Sequence, residues 1–323
     1  MSLSRRQLLH LATASTLAFK RPSAAHAQGY PTRSVRLVVG TPPGTSPDTI
    51  ARLFGQWLSE RLGQPFVIEN RPGAGMNVAT ETVVRAPADG YTLLLSSLSN
   101  AINATLYPKL NFNFLHYIEP VAFVGDNAFL MAVTPSLPVK TVREFIAYAK
   151  ANPGKINMAS GGNGSAPHVF GELFKQMAGV DLVHVPYRSS FYPDLFSGRV
   201  QVAFIAVAGS LALVKAGKIR ALAVTTAKRS DVLPNLPAID EFVAGYQASA
   251  WLGIGAPKNT PAAVIATLNS GINAIVSNAD AKSRLAALGI EPQSMTPAKF
   301  GKFCADETDK WAKVVTNAGI KAD

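Results

Sequence analysis

The sequence predicts an α/β protein built as two lobes. Its 323 residues, 48% hydrophobic and only 16% charged, exclude a disordered chain and suffice for about two cores at roughly 150 residues per domain. Strand, turn and helix signals alternate along the chain, the pattern of parallel strands covered by helices. No stretch reads as a flexible linker, as expected where a chain crosses twice between lobes.

The first 27 residues read as an export leader. Arg5-Arg6 precede a short apolar run through Phe19, Lys20-Arg21 follow it, and Ala25-His26-Ala27 supplies a small-x-small cleavage site. The run of about 12 residues is too short for a membrane span, which needs roughly 20. The paired arginines favour a twin-arginine-like route. Cleavage is expected after Ala27, leaving a soluble periplasmic protein that starts near Gln28.

In the mature chain Val35–Val39 reads as a buried strand, followed by the turn Gly40-Thr41-Pro42-Pro43-Gly44-Thr45. A helix follows, with Ser46 as cap, Pro47 at its first position, apolar residues from Ile50 to Leu62 at helical spacing, and Gly63 as stop. The unit repeats as strand 66–69, turn 71–75, a helix to about Arg85 and strand 91–96. Strands at 130–134, 156–159 and 200–207, with helices at 142–151 and 167–178, form the middle section. Strand 219–226 and a proline-rich loop lead to Trp251-Leu252-Gly253-Ile254. Thr260-Pro261 and Thr296-Pro297 start closing helices, and Gly289 ends the helix between them. The expected division is 28–128 plus 225–323 for lobe 1 and 129–224 for lobe 2.

Composition narrows the function. The net charge is +11, but four of the basic residues lie in the leader; the 27 that remain, against 20 acidic, are scattered. Nucleic acid is therefore excluded as a partner. One cysteine, Cys304, rules out an intrachain disulfide and a cysteine-based zinc site, and the histidines lack ligand spacing, so no metal or other cofactor is expected. Catalysis finds no support. There is no Gly-x-Ser-x-Gly elbow, and the Ser165–His168 spacing suits a helix cap and its neighbour better than a nucleophile and base. What remains is anion binding: two glycine-rich turns, 42–46 and 160–165, each lead into a helix whose first N–H groups can hold a carboxylate. Each alone could be an ordinary capped turn. Asp48 also reads as a first-turn acid favoured by the helix dipole.

The segment Val35 to Arg52, with its Pro-Pro-Gly and Asp48-Thr49-Ile50-Ala51-Arg52, resembles the first loop and helix of the Bug-type substrate-binding proteins of tripartite tricarboxylate transporters. In register follow Glu69-Asn70-Arg71-Pro72-Gly73-Ala74-Gly75, Ala86-Pro87-Ala88-Asp89-Gly90-Tyr91-Thr92-Leu93, Gly162-Asn163-Gly164-Ser165 with His168, and His184-Val185-Pro186-Tyr187-Arg188. Gly217-Lys218-Ile219-Arg220-Ala221-Leu222-Ala223 and Trp251 with Ala256-Pro257 complete the series. The resemblance spans essentially the whole mature chain. It implies a two-lobe periplasmic-binding-protein fold, type II-like, with a ligand cleft between lobes, and capture of a small organic carboxylate without chemistry. The implied ligand-binding residues are Pro43, Gly44, Thr45 and Asp48 from one lobe, with Asn163, Gly164, Ser165, His168, Tyr187 and Arg188 from the other. The implied partners are a small organic carboxylate and either membrane permease subunits of a tripartite transporter or a sensor to which it is delivered; a monomer is expected. Thr45 stands where many relatives have glycine, and Ser189-Ser190-Phe191-Tyr192-Pro193 replaces a longer glycine-containing loop. The two rings suggest a carboxylate with an apolar remainder. The competing expectation is an exported hydrolase or lyase that uses the same cleft.

Overall fold

The computed structural model describes residues 29–230 and 233–322; the expected leader, its cleavage after Ala27 and the start at Gln28 lie outside the described residues. In chain order the first half contains β1 (Val35–Val39), α1 (Ser46–Leu62), β2 (Phe66–Asn70), α2 (Asn77–Val84), β3 (Thr92–Ser97), α3 (Leu98–Leu106), α4 (Phe114–Tyr117) and β4 (Ile118–Asn127). Then come β5 (Phe129–Val133), α5 (Val142–Ala151), β6 (Asn157–Ser160), α6 (Ala166–Ala178), β7 (Val183–Pro186), α7 (Tyr192–Ser197), β8 (Val202–Ala206), α8 (Val207–Lys215) and β9 (Arg220–Val224). The chain closes with β10 (Leu252–Pro257), α9 (Ala262–Ser277), α10 (Ala279–Ala287), β11 (Ile290–Pro292) and α11 (Pro297–Asn317).

These strands form two sheets, the α/β class the alternation predicts. One is six-stranded in the order β11-β4-β10-β3-β1-β2, the other five-stranded in the order β7-β6-β8-β5-β9. The repeated strand-turn-helix unit makes β1 parallel to both β2 and β3, and β6 is parallel to β7 and β8. Parallel neighbours put their carboxyl ends on one edge of each sheet, where ligands bind in open α/β folds. Gly63 stops α1 in the left-handed region at φ 74°, as its position after the last apolar residue predicts.

The chain leaves the first sheet at Ala128, between β4 and β5, and returns between β9 and β10. The two crossings run side by side, since Asn127 and Ala250 exchange backbone hydrogen bonds at 3.1 and 3.3 Å. Part of the returning stretch packs on the second sheet: Ala238 bridges Val224, and the Tyr246 hydroxyl donates to the Phe170 carbonyl at 3.1 Å. The C-terminal helix α11 spans both lobes. Its Trp311 ring lies 5.5 Å from Phe170, and Glu307 accepts from the indole N–H groups of both Trp251 and Trp311, at 3.2 and 2.8 Å.

Three local expectations change. Thr260 does not cap α9, whose N-cap is Pro261, because the Thr260 Oγ1 donates to the Pro257 carbonyl at 2.7 Å. Thr45, not Ser46, is the N-cap of α1. The expected closing helix up to Gly289 is two helices, because Asn278 ends one and caps the next, its side chain accepting from Ala281 N–H at 3.1 Å.

Candidate functional site

The turn after β1 gathers Pro43, Gly44, Thr45 and Asp48 at the N-terminus of α1. Gly44 has φ 82°, a conformation that glycine adopts without strain, and its N–H donates to Asp48 Oδ2 at 2.8 Å. The Asp48 carboxylate is 2% exposed. It also accepts from Arg52 Nε and Nη2, both at 3.0 Å, and from Asn70 Nδ2 at 2.8 Å. The Arg52 bonds, helped by the Gly44 and Asn70 donors against the cost of burial, hold its pKa down to about 2. Asn70 Nδ2 donates as well to the Thr41 carbonyl at 3.0 Å, which ties the turn to the end of β2. Thr45 Oγ1 donates to the Pro42 carbonyl and shares a hydrogen bond with Thr41 Oγ1, each at 2.8 Å. With its hydroxyl so engaged, Thr45 leaves α1 without a side-chain cap. Pro43 and Gly44 are exposed, and a Cβ on Gly44 would meet nothing within 4 Å.

The turn after β6 is built alike. Gly164 has φ 71°, and its N–H donates to Nδ1 of His168, four residues on, at 3.2 Å. His168 is 5% exposed and stacks on His184 at 3.5 Å with the planes 6° apart. His184 Nε2 in turn lies 2.6 Å from Ser160 Oγ. Burial, with His184 and then Lys175 adding to it, pulls the His168 pKa down to about 3, so the ring stays neutral and Nδ1 remains an acceptor. Ser165 Oγ donates to the Gly162 carbonyl at 2.7 Å, and α6 has no side-chain cap. Asn163 is exposed at the tip of the turn. A Cβ on Gly164 would overlap the Leu106 side chain, so the second lobe's turn rests on the end of α3 from the first lobe.

Tyr187 is fixed to its own lobe. Its N–H donates to the Ser160 carbonyl at 3.0 Å and its hydroxyl to Asp194 Oδ2 at 2.7 Å, while burial first, then that bond, pushes its pKa up to about 12. Arg188 beside it is exposed. The rings of Phe191 and Tyr192 lie 5.0 Å apart and continue the row from Tyr187 to Phe196.

The structure thus places four of the expected site residues in one turn, four in the other, and Tyr187 and Arg188 next to the second. Sequence reasoning assigned no role to Arg52, Asn70 or Leu106. The glycine-plus-four spacing of Gly44–Asp48 and Gly164–His168 is a signal that exposes the first-lobe and second-lobe anchors. No group of three metal-ligating side chains occurs among the described residues, nor is any described helix long and apolar enough to cross a membrane.

Two α/β lobes joined by adjacent crossings, each offering an uncapped helix N-terminus behind a glycine turn, define a two-lobe binding protein. A family model described as "Tripartite tricarboxylate transporter family receptor" matches residues 50–320, and the chain belongs to that family. It is 36% identical over 302 residues to Protein BugT of Bordetella pertussis, covering 91% of this chain and 92% of that one. Among solved structures it is similar to an R. palustris protein with adipate, at 37% identity and TM-score 0.78, over 90% of this chain and 99% of that chain. MatC from Rhodopseudomonas palustris with bound malate matches at 29% identity and TM-score 0.73, over 88% and 100% of the two chains.

Proposed function

We propose that this receptor works in the periplasm, after removal of residues 1–27, and captures a small organic carboxylate between the two glycine turns. It then delivers the ligand to the membrane permease of a tripartite transporter. The observation that carries the reading is the pair of uncapped helix N-termini, α1 and α6. Their unclaimed N–H groups favour an anion through hydrogen bonding and the helix dipole together. The adipate and malate held by the two relatives fit such a pair of sites, one turn for each carboxylate.

In this reading Asp48 and His168 shape the turns rather than touch the ligand. Asp48 is enclosed by four donor contacts, so its negative charge is balanced before any carboxylate arrives. Pro43, Gly44, Thr45, Asn163, Gly164 and Ser165 then present backbone to the cleft, and exposed Arg188 offers a counter-charge from the second lobe. The row of rings from Tyr187 to Phe196 supports an apolar stem between the charged ends. We place the division between lobes at the paired crossings, so that the chain returns near 249 rather than at the expected 225, since Ala238 and Tyr246 still pack on the second sheet.

The rival reading as a hydrolase or lyase is disfavoured by the same contacts. Ser165 Oγ points to the Gly162 carbonyl and His168 Nδ1 is taken by the Gly164 N–H, so these two groups do not form a nucleophile and its base. Calorimetry with adipate, malate, benzoate and glutamate tests the proposal. Binding of an acid with an apolar stem, without turnover of its esters, is expected; failure of every carboxylate to bind overturns it.

A further inference from the structure

Four consecutive residues before α2, Gly73 to Met76, have positive φ, and two of them carry side chains: Ala74 at 46° and Met76 at 77°. A long side chain in this region is sterically strained where glycine is not. Strain of this kind persists where the surroundings over-determine it, and it clusters at ligand sites. The conformation also fixes where the Met76 side chain goes. A Cβ on Gly40 would lie 2.5 Å from Met76 Cβ, so the methionine packs directly on the Gly40 backbone, and its Sδ accepts from Ser97 Oγ at 3.4 Å. Gly40 follows β1 and opens the turn that holds Gly44, and Ser97 ends β3. Met76 therefore bridges the carboxyl ends of two parallel strands, the edge at which open α/β sheets bind ligands. The same segment is tied to α3, because Asn103 Nδ2 donates to the Gly75 carbonyl at 2.7 Å, and α3 carries the Leu106 that meets Gly164 of the second lobe.

Core packing does not account for this side chain. Met76 is half-buried and belongs to none of the three apolar clusters formed by the described residues. Methionine is ordinarily an adaptable filler, but the Gly40 and Ser97 contacts hold this one in place. With its sulfur engaged, the arm offers the cleft only carbon. We infer that Met76 is the first lobe's specificity-determining residue: its thioether arm forms an apolar wall beside the turn after β1 and selects a carboxylate that carries no hydroxyl on the carbon next to the charged group. The inference rests on carboxylate capture between the two turns and adds which acids are captured. A methylene gains by burial against the wall, while a hydroxyl there gives up water and finds no partner.

Two matched pairs of acids, succinate with malate and phenylacetate with mandelate, each differ by one such hydroxyl. Calorimetry on the mature chain should show the unsubstituted acid of a pair binding about tenfold tighter or more, the size of effect expected when one hydroxyl is buried without a partner. Met76→Gln keeps the length of the arm but ends it in an amide, so the ratio should fall to about threefold or less. Met76→Leu, which keeps the arm apolar, should retain the preference. Met76→Gly removes the wall and the backbone strain together, so it decides the matter if the glutamine variant misfolds; its ratio should fall likewise. A wild type that favours the hydroxy acid, or a ratio that neither Met76→Gln nor Met76→Gly lowers, overturns the inference and leaves carboxylate capture standing. Failure of all four acids to bind also overturns it, and capture itself falls only where adipate, benzoate and glutamate fail as well.

Discussion

In the first lobe the glycine N–H of the turn after β1 is held by a buried carboxylate, Asp48, and in the second the glycine N–H of the turn after β6 is held by a buried neutral imidazole, His168, each four residues further on. The local geometry is shared: both glycines have positive φ, and both turns open onto a helix with no side-chain cap. The surroundings differ. Asp48 sits in a charged web with Arg52 and Asn70 that reaches the end of β2, whereas His168 leans on a stacked ring and on Ser160 beneath it. The side of each glycine differs as well. Gly44 looks into open space, and Gly164 sits against Leu106 of the opposite lobe. On the proposed reading, the first turn meets the ligand as an open surface, and the second does so as part of a contact between the lobes.

Side chains added at the two glycines should separate these roles. Gly44→Val places a branched side chain where the ligand approaches and also strains a left-handed residue. Calorimetry should show at least about a hundredfold loss of affinity, roughly 2.7 kcal/mol, in a protein that still folds. Gly164→Val should lose affinity too, but through the clash with Leu106, so Leu106→Ala should restore part of the binding in that background alone. Rescue of Gly44→Val by Leu106→Ala, or no rescue of Gly164→Val, breaks the comparison.

The anchors themselves should differ in weight. Asp48→Ala strips an acceptor from Gly44, Arg52 and Asn70 at once and leaves donors unpaired around a buried space, which should cost about 3 kcal/mol in urea unfolding. His168→Ala frees one N–H and one face of His184 and should cost closer to about 2 kcal/mol. Equal losses would show that the charged web adds nothing over the stacked pair.

Much of this was legible in the residues. The alternation of strand, turn and helix predicted a parallel sheet, which holds for β1 with β2 and β3 and for β6 with β7 and β8 but not for β4, β5, β9, β10 and β11, which pair antiparallel; Gly63 and Thr296 act as the stop and cap their positions suggest. The two turns were legible because glycine and proline mark them and a helix follows each. The helix α3 was not: its sequence LSNAINATL is short, and its capping box pairs Ser97 with Asn100 rather than with the Glu or Gln that makes such boxes recognisable. Leu106 was hidden with it, since a contact between lobes leaves no mark in local periodicity. The dipole reading of Asp48 was available from its place in the first turn. Its enclosure by Asn70, 22 residues away, depends on β2 pairing beside β1 and has no local signal.

Acid should act on the two turns in sequence. An imidazole whose pKa falls from 6.5 in the unfolded chain to about 3 when folded binds its proton more readily when unfolded. Stability contributed by neutral His168 is therefore complete above pH 6.5 and is lost as pH falls from there toward 3. Asp48, at about 2 when folded against 3.8 for an ordinary aspartate, contributes stability that is lost only as pH falls below 3.8. A third buried group opposes the first over part of this range. Asp126, beside the crossing and accepting from the Ser249 hydroxyl, is raised to about 6 by burial, with Glu307 and Glu291 adding to it, so it favours folding as pH falls from 6 to 3.8. Total stability is thus a poor readout, and a difference between two proteins is a better one. His168→Gln can keep an acceptor for the Gly164 N–H without titrating. The stability of the wild type relative to this variant should fall by about 1 kcal/mol between pH 7 and pH 5.5, measured by urea unfolding at each pH, while Asp126 cancels in the difference. A difference that stays flat across that range would show that His168 takes up its proton without loosening the second turn, and the contrast between a charged anchor and a neutral one would lose its consequence.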